Sequence, residues 1–194
     1  MTVRLTMVTP ALDQALREAR FPGPGSGQGL DGAGERAARA AAFAPPPGAR
    51  LFTGPSRRCR ETARALGLDA EPLPALADWD AGSWAGRTLA EVAAAEPEAV
   101  ARWLAEPGAA PHGGESLEAL RARVGEWVRG VGAASPDAVT VLTVVAEVAV
   151  VRAVLVEAVG LPSEVFWRLD VPPLTRVELS GRAGRWNLRC GAPL

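Results

Sequence analysis

The apolar run over residues 138–145 constrains the fold most strongly, because almost every residue in it is Val, Leu or Thr. A strand with apolar side chains on both of its faces is buried between two layers of structure. The run leads into residues 149–159, a segment of helical length that Gly160-Leu161-Pro162 closes. A buried strand followed by a helix is typical of α/β proteins with a parallel sheet.

The rest of the chain repeats this alternation of strands and helices. Short β-branched runs predict further strands at residues 3–8, 50–53, 166–171, 175–179 and 186–189. Helical spacing and capping residues predict further helices at residues 11–20, 34–43, 57–66, 88–94, 98–104 and 116–130. Residues 22–29 are rich in Gly and Pro and are expected to form a loop. The pattern predicts one domain over residues 1–194, a three-layer α/β/α sandwich around a mostly parallel sheet.

Charge and composition exclude several classes of protein. The net charge is −1, so no basic surface favours binding to nucleic acid or to an acidic membrane. The two cysteines, Cys59 and Cys190, are too few for a disulfide framework or a metal set. No leader segment or long apolar run is evident, so we expect a soluble, cytoplasmic protein. No metal and no cofactor is expected, and a homo-oligomer is compatible with the sequence.

Residues 53–63 read Thr-Gly-Pro-Ser-Arg-Arg-Cys-Arg-Glu-Thr-Ala and form the clearest motif. A strand ends, a tight turn follows, and a helix begins with Ser56 as its N-cap and Arg58 in its first turn. Backbone N–H groups, the helix dipole and a guanidinium then converge on one point, which suits an anion. An arginine-rich surface helix would give the same pattern, and the motif alone does not decide between them.

Three more segments follow in order. Residues 76–86 contain Asp78 within a stretch with two Trp and two Gly, and residues 111–116 read Pro-His-Gly-Gly-Glu-Ser. The fourth segment is the passage from strand to helix over residues 141–155, which ends near Arg152.

Together and in this order the four segments resemble the histidine phosphatase superfamily, also called phosphoglycerate-mutase-like. The family pattern is a strand ending in Arg-His-Gly, then Ser-Pro-x-x-Arg-x-x-x-Thr-Ala, Leu-x-Glu…Gly-x-Trp-x-Gly, Gly-Glu-Ser and Thr-His-Gly-Gly-x-x-Arg. The resemblance covers almost the whole chain and implies the fold of that family. It also implies phosphoryl transfer through a phosphohistidine, for which the family uses two histidines.

This chain departs from the family pattern at both histidine positions. The nucleophilic histidine of the family falls on Pro10, and the phosphate-binding arginine before it falls on Thr9. The second catalytic histidine falls on Glu147, counted back from Arg152. Proline has no nucleophile, so the resemblance predicts a site that lacks the phosphohistidine step.

Other family positions are kept. The phosphate-binding arginine of the second element falls on Arg58, the general acid falls on Asp78, and the Gly-Glu-Ser loop keeps Glu115. With Glu147, this arrangement surrounds one arginine with carboxylates and opposes a phosphate dianion. If Glu147 and Asp78 are close and desolvated, one of the two carboxyls should hold its proton to a high pH.

Glu147 and His112 each allow two interpretations. Glu147 forms either an ion pair with Arg58 or an acid–base or ligand contact. His112 is the single histidine of the chain and is either a residue of the loop or a relocated catalytic base.

The sequence therefore predicts a pseudophosphatase that binds a small-molecule ligand, phosphorylated or not, or a protein partner. Asp78, Glu147 and His112 are the candidate catalytic residues, and the candidate ligand-binding residues are Thr9, Pro10, Ser56, Arg58 and Glu115. Two alternatives remain: an acid–base enzyme of the isomerase or lyase type that uses Asp78 and Glu147, with or without His112, and a weak phosphatase.

Overall fold

The computed structural model describes residues 2–23, 29–41, 43–133 and 139–190. A six-stranded mixed sheet has the strand order β3-β2-β4-β1-β5-β6. In chain order the strands are β1 Val3–Val8, β2 Arg50–Thr53, β3 Glu71–Pro72, β4 Thr140–Val145, β5 Arg176–Arg182 and β6 Arg185–Arg189. Strands β3, β2, β4 and β1 run parallel, and β5 pairs antiparallel with both β1 and β6.

Helices connect the strands of the sheet. They are α1 Gln14–Arg17, α2 Gly32–Ala40, α3 Arg57–Ala65, α4 Leu89–Ala95, α5 Pro97–Ala105, α6 Leu117–Ala133 and α7 Val148–Val159. Short 3₁₀ helices lie at Pro74–Leu76, Gly82–Trp84 and Ser163–Arg168. No helix in the described ranges is long and apolar enough to cross a membrane.

The sheet separates two apolar cores. Alternate side chains of a strand point to opposite faces, so Met7 and Val144 lie in the larger core while Val8 and Val145 lie in the smaller one. Helices α6 and α7 pack in the larger core, and α3 contributes Cys59 to the smaller one. This layering is the α/β/α sandwich that the two-sided apolar strand predicts.

Strand register brings three carboxyl ends to one edge of the sheet. Val145 of β4 is in register with Val8 of β1 and with Thr53 of β2. The ladder continues one residue further, since Gly54 N–H donates to the Val145 carbonyl (2.8 Å) and Ala146 N–H donates to the Val8 carbonyl (3.0 Å). The segments that follow β1, β2 and β4 therefore start side by side.

Most predicted elements are confirmed, with boundaries shifted by a few residues. Ser56 caps α3 by accepting from Cys59 N–H at 3.0 Å, and Thr88 and Glu91 form the predicted capping box of α4. Cys59 is a buried free thiol, as expected. Parts of three predictions lie outside the described residues: residue 138 of the central strand, residue 42 of the second helix and residues 24–28 of the Gly/Pro-rich loop.

Two local predictions are wrong, and one short strand was missed. The helix predicted over residues 11–20 is only α1, because Asp13 caps it and Ala19 takes a positive φ of 50°. The strand predicted over residues 166–171 is instead a 3₁₀ helix, which buries Phe166 among other aromatic rings. The two-residue strand β3 was not predicted, because an exposed Glu-Pro pair carries no apolar pattern.

The loop over residues 78–84 packs closely against the loop over residues 112–115. Ser83 N–H donates to the His112 carbonyl at 2.8 Å, and Glu115 N–H donates to the Asp80 carbonyl at 2.9 Å. A Cβ on Gly114 would lie 2.2 Å from the Asp80 carbonyl oxygen, so the backbones approach too closely for any side chain there. This contact fixes residues 78–84 against residues 112–115.

We predict that Gly114→Ala lowers the free energy of unfolding by about 2 to 3 kcal/mol, because the backbones must separate. Gly130→Ala is the matched control: it lies on an exposed turn of α6 with nothing within 4 Å of its Cβ position. Alanine is the better helix former there and should add about 0.5 to 1 kcal/mol. Chemical denaturation measures both, and equal effects would contradict the tight junction.

Candidate functional site

A cavity of about 930 Å³ opens at the carboxyl edge of the sheet. Loops and helix starts after β1, β2 and β4 supply part of its wall, as expected for an open parallel sheet. The polar side chains on the wall include Asp13, Ser56, Arg58, Asp78, His112, Glu147 and Arg152. Five rings, which we call the aromatic wall, also line the cavity: Phe21, Trp79, Trp103, Phe166 and Trp167.

An ion pair between Arg58 and Glu147 lies at the base of the cavity. The guanidinium uses two nitrogens: Nε donates to Glu147 Oε1 at 3.3 Å, and a terminal nitrogen makes a short contact with Oε2. Ser56 Oγ donates to the same Oε1 at 2.7 Å. The side chains of Arg58 and Glu147 are 12% and 4% exposed, so this is a buried, bidentate pair.

Glu147 holds this position instead of capping its own helix. It is the N-cap residue of α7, but its side chain makes no capping hydrogen bond. The carboxylate reaches across to α3 because β2 and β4 are neighbours in register. Of the two interpretations that the sequence left open for Glu147, the ion pair with Arg58 is therefore present.

Asp13 adds a second carboxylate to Arg58. Its Oδ1 lies 3.5 Å from a terminal nitrogen of Arg58 and also accepts from Leu16 N–H at 2.9 Å as the cap of α1. Burial disfavours the charge on Arg58, but Glu147 and then Asp13 outweigh it and raise the pKa of Arg58 above its ordinary value. The arginine is thus a permanent cation whose fork is already occupied.

Asp78 completes a group that we call the carboxylate cluster, formed by Asp13, Asp78 and Glu147 around Arg58. Burial, and then the negative charge of Glu147, raises the pKa of Asp78 to about 8. The Trp79 N–H, which donates to Asp78 Oδ1 at 2.8 Å, and the charge of Arg58 oppose this shift. The expected high-titrating carboxyl is therefore Asp78, which holds a proton at neutral pH.

His112 lies on the cavity wall but is fixed by its own loop. Its Nδ1 accepts from Gly114 N–H at 3.0 Å, and its ring packs 5.0 Å from that of Trp84. The residue is 4% exposed. Burial lowers the pKa of His112, although Asp80 opposes the shift, so the ring is neutral near pH 7.

Glu115 is not among the residues that line the cavity. It forms a bidentate pair with Arg123 of α6 at 2.8 and 2.9 Å. The same guanidinium donates to the carbonyls of Ala75 and Ala77, the residues just before Asp78. Glu115 therefore orients Arg123, which holds the segment that carries Asp78.

Thr9 and Pro10 also lie outside the cavity wall. Thr9 Oγ1 donates to the Pro172 carbonyl at 2.6 Å and accepts from Thr175 N–H at 2.9 Å. Pro10 is buried two residues after the end of β1, and the next residue, Ala11, donates its N–H to Thr62 of α3. These contacts tie the end of β1 to the loop before β5 and to α3.

Of the sequence-predicted residues, the cavity collects Ser56, Arg58, Asp78, His112 and Glu147. The cavity residues that were missed as candidates include Asp13, Arg152 and Asp170. Asp13 was read as part of a longer helix, although an Asp shortly after a buried strand is a capping signal. Arg152 was used only as the reference from which Glu147 was counted back. Its position in the first turns of an apolar helix could have marked it as a candidate site residue.

Arg152 differs from Arg58 in its partners. Its Nε donates to the Leu169 carbonyl at 2.7 Å, and its guanidinium carbon lies 5.9 Å from the centre of the Phe166 ring. Burial lowers the pKa of Arg152, and Asp170 opposes the shift without forming an ion pair. Across residues 2–23, 29–41, 43–133 and 139–190, no group of three or more His, Cys, Asp and Glu side chains is placed to hold a metal ion.

Comparisons with solved structures give the same fold. A mycobacterial glucosyl-3-phosphoglycerate phosphatase complexed with VO3 matches with a TM-score of 0.81 and 27% identity over 96% of each chain. A protein named mycobacterial hydrolase 1 matches with a TM-score of 0.81 and 26% identity over 98% of each chain. An alpha-ribazole phosphatase from Shigella flexneri, at 19% identity and a TM-score of 0.79, covers 96% of this chain and 94% of its own and shows the fold alone.

Curated relatives match only part of the chain. A bifunctional protein of Mycobacterium tuberculosis and an uncharacterized protein of Mycobacterium bovis are each 35% identical over 128 residues. The match covers 62% of this chain and 35% of theirs, so the chain spans about a third of the length of these relatives. A family model described as histidine phosphatase superfamily (branch 1) matches residues 14–191, and the chain belongs to that superfamily.

Proposed function

We propose that this chain is a pseudophosphatase: a histidine-phosphatase scaffold that binds a small molecule in its cavity and does not form a phosphohistidine. One observation carries the proposal. Arg58, the arginine that matches the family's phosphate position, is already bound by Glu147 through two nitrogens. An internal carboxylate takes the place that a phosphate would need.

Charge and nucleophile both support this proposal. Phosphohistidine chemistry needs an imidazole beside the phosphate, and the single histidine of the chain, His112, has its Nδ1 engaged by Gly114. A phosphate dianion at Arg58 would also lie beside Glu147 and Asp13. Like charges a few ångströms apart repel by about 4 kcal/mol at an intermediate dielectric, so the dianion is disfavoured.

We predict no hydrolysis of p-nitrophenyl phosphate above the buffer blank from pH 4 to pH 9. Restoring the family residues with Thr9→Arg, Pro10→His, Ala11→Gly and Glu147→His should give measurable phosphate release. Release of p-nitrophenol checks both proteins. Turnover by the wild-type chain that Arg58→Ala abolishes would overturn the proposal, and a folded fourfold variant without activity would show that Pro10 and Glu147 are matched wrongly.

We predict that Glu147→Gln frees Arg58 for anions and tightens orthophosphate binding about 10- to 100-fold, the range of a charged hydrogen bond. Isothermal titration calorimetry measures the change. The matched control is Glu157→Gln on the same helix, which removes a carboxylate paired with Arg121 at 2.7 Å outside the cavity wall. Equal phosphate affinity in both variants would contradict a blocking role for Glu147.

A second candidate function is supported by Asp78. A carboxyl on the cavity wall with a pKa of about 8 carries a proton at neutral pH and can donate it to a ligand. Glu147 beside it remains the partner that raises this pKa. An acid–base enzyme of the isomerase or lyase type would use Asp78 as its general acid.

The raised pKa of Asp78 predicts an unusual pH dependence of stability. Between about pH 4, where an unfolded Asp ionises, and pH 8, the native state holds a proton that the unfolded chain has lost. The free energy of unfolding should fall across this window with a slope of at most about 1.4 kcal/mol per pH unit.

Asp78→Asn removes this contribution, so its stability relative to the wild type should rise from pH 4 to pH 8 and then level off. Urea denaturation at several pH values measures the difference. Parallel curves for the two proteins across this window would show that Asp78 ionises in the native state as it does in the unfolded chain.

A further inference from the structure

Besides Arg58, the cavity contains Arg152, whose charge is not neutralised by an ion pair. Arg152 is half-buried on the cavity wall, where its Nε is held by the Leu169 carbonyl. Its two terminal nitrogens form no hydrogen bond and no ion pair with any residue that the structure describes. A partly desolvated cation without a counter-ion is costly, and a bound anion would offset that cost.

Other cavity arginines have partners. Arg58 is held by Glu147 and Asp13, Arg57 is paired with Glu61 at 2.7 Å, and Arg20 is paired with Glu18 at 2.6 Å. Within the described part of the chain, Arg152 is therefore the cavity arginine that remains for a ligand. It belongs to α7, whose interior is almost wholly buried, so its backbone is firmly placed.

The free end of Arg152 fits a carboxylate better than a phosphate. Two terminal nitrogens of a fixed guanidinium match the two oxygens of a planar carboxylate. Asp170 also lines the cavity and acts on Arg152 electrostatically, and the carboxylate cluster adds more negative charge. A monoanion meets less repulsion from these groups than a dianion does.

Beside Arg152 lies the aromatic wall. The Phe166 ring lies 5.1 Å from that of Trp167, and the Trp167 ring lies 4.5 Å from that of Trp103. Phe166 is 1% exposed, whereas Phe21 and Trp167 are the partly exposed rings of the wall, and such rings bind a flat apolar ring by offset or edge contacts. A cavity of about 930 Å³ has room for a ligand of that size next to the arginine.

We propose that the cavity binds a small carboxylic acid with a flat ring, its carboxylate on Arg152 and its ring against the aromatic wall. This assignment rests on the proposed ligand-binding function and names the class of ligand. It gives Arg152 the anion-binding role that Arg58 cannot fill while Glu147 is bound to it.

Phenylacetate is the probe, compared with phenylacetamide, which is neutral, and phenethylamine, which is a cation. Binding is followed by quenching of tryptophan fluorescence and by thermal shift at fixed ionic strength. We expect phenylacetate to bind at least about tenfold more tightly than the other two, since one charged bidentate contact distinguishes them. Equal binding of phenylacetate and phenylacetamide would overturn the carboxylate anchor, as would binding of phenethylamine alone or of no probe.

Substitutions test whether the carboxylate of phenylacetate binds to Arg152. Arg152→Met keeps much of the apolar stem and should weaken phenylacetate at least about tenfold, with Arg152→Lys between it and the wild type. Asp170→Asn leaves Arg152 in place and should tighten binding a few-fold, because a competing charge is removed. Arg57→Met, a cavity arginine paired with Glu61, is the control and should bind as the wild type does.

These outcomes separate the two proposals. Unchanged phenylacetate affinity in both Arg152→Met and Asp170→Asn would overturn the anchor and leave the ligand-binding function in place. Hydrolysis of phenyl phosphate by the wild-type chain, lost in Arg58→Ala, would instead overturn the pseudophosphatase function. If Arg152→Met does not fold, Asp170→Asn and Arg152→Lys still decide the question.

Discussion

The parallel pairing of β4 with both β1 and β2 is the constraint on which the site depends. Val8, Thr53 and Val145 end their strands in register, so the segments after them must share one edge of the sheet. Charged side chains in the segments that follow these three strands can therefore approach one another within a few ångströms. The Arg58–Glu147 pair is the direct result: one partner opens α3 and the other opens α7.

A buried pair of this kind adds little net stability, but it strongly determines what else the site can accept. Desolvating both ions offsets much of their attraction, whereas losing one partner leaves a buried charge that costs about 3 to 5 kcal/mol. An incoming phosphate would have to displace Glu147 from Arg58 and leave its carboxylate stranded. Burial, and then the charge of the same Glu147, raises the pKa of Asp78, so Glu147 acts on both Arg58 and Asp78.

Much of this arrangement could be predicted from sequence, because it follows from patterns along single segments. The apolar run before Glu147, the cap at Ser56 and the ordered motifs are enough to place Arg58 and Glu147 together. The elements that could not be predicted depend on contacts made after folding. Phe166 and Trp167 look like a strand by composition, yet they lie in a 3₁₀ helix and pack against each other and against two further rings, Trp79 and Trp103.

Some candidate ligand-binding residues were wrongly expected in the cavity, and a cavity residue, Asp13, was missed, because their positions also depend on contacts made after folding. Glu115 matches a family motif, but only the fold shows that it faces Arg123 and supports the segment before Asp78. Thr9 likewise faces the loop before β5. Asp13 was missed because the residues on both sides of it have helical spacing, which predicts one continuous helix. In the structure Asp13 is the N-cap residue, and the helix begins only after it.

Arg58 and Arg152 show how the surroundings of an arginine decide whether it finds a partner within the protein. Arg58 lies between two carboxylates that the sheet edge brings to it, so its charge is neutralised within the protein. Arg152 lies one and a half turns into α7 from Glu147, with a carbonyl and an aromatic ring as neighbours and no paired carboxylate. A protein that kept Arg58 as its anion site would need Glu147 to be neutral or absent. Because Glu147, the N-cap residue of α7, is paired with Arg58, our proposal places the anion in this cavity at Arg152 on α7 and not at Arg58 on α3.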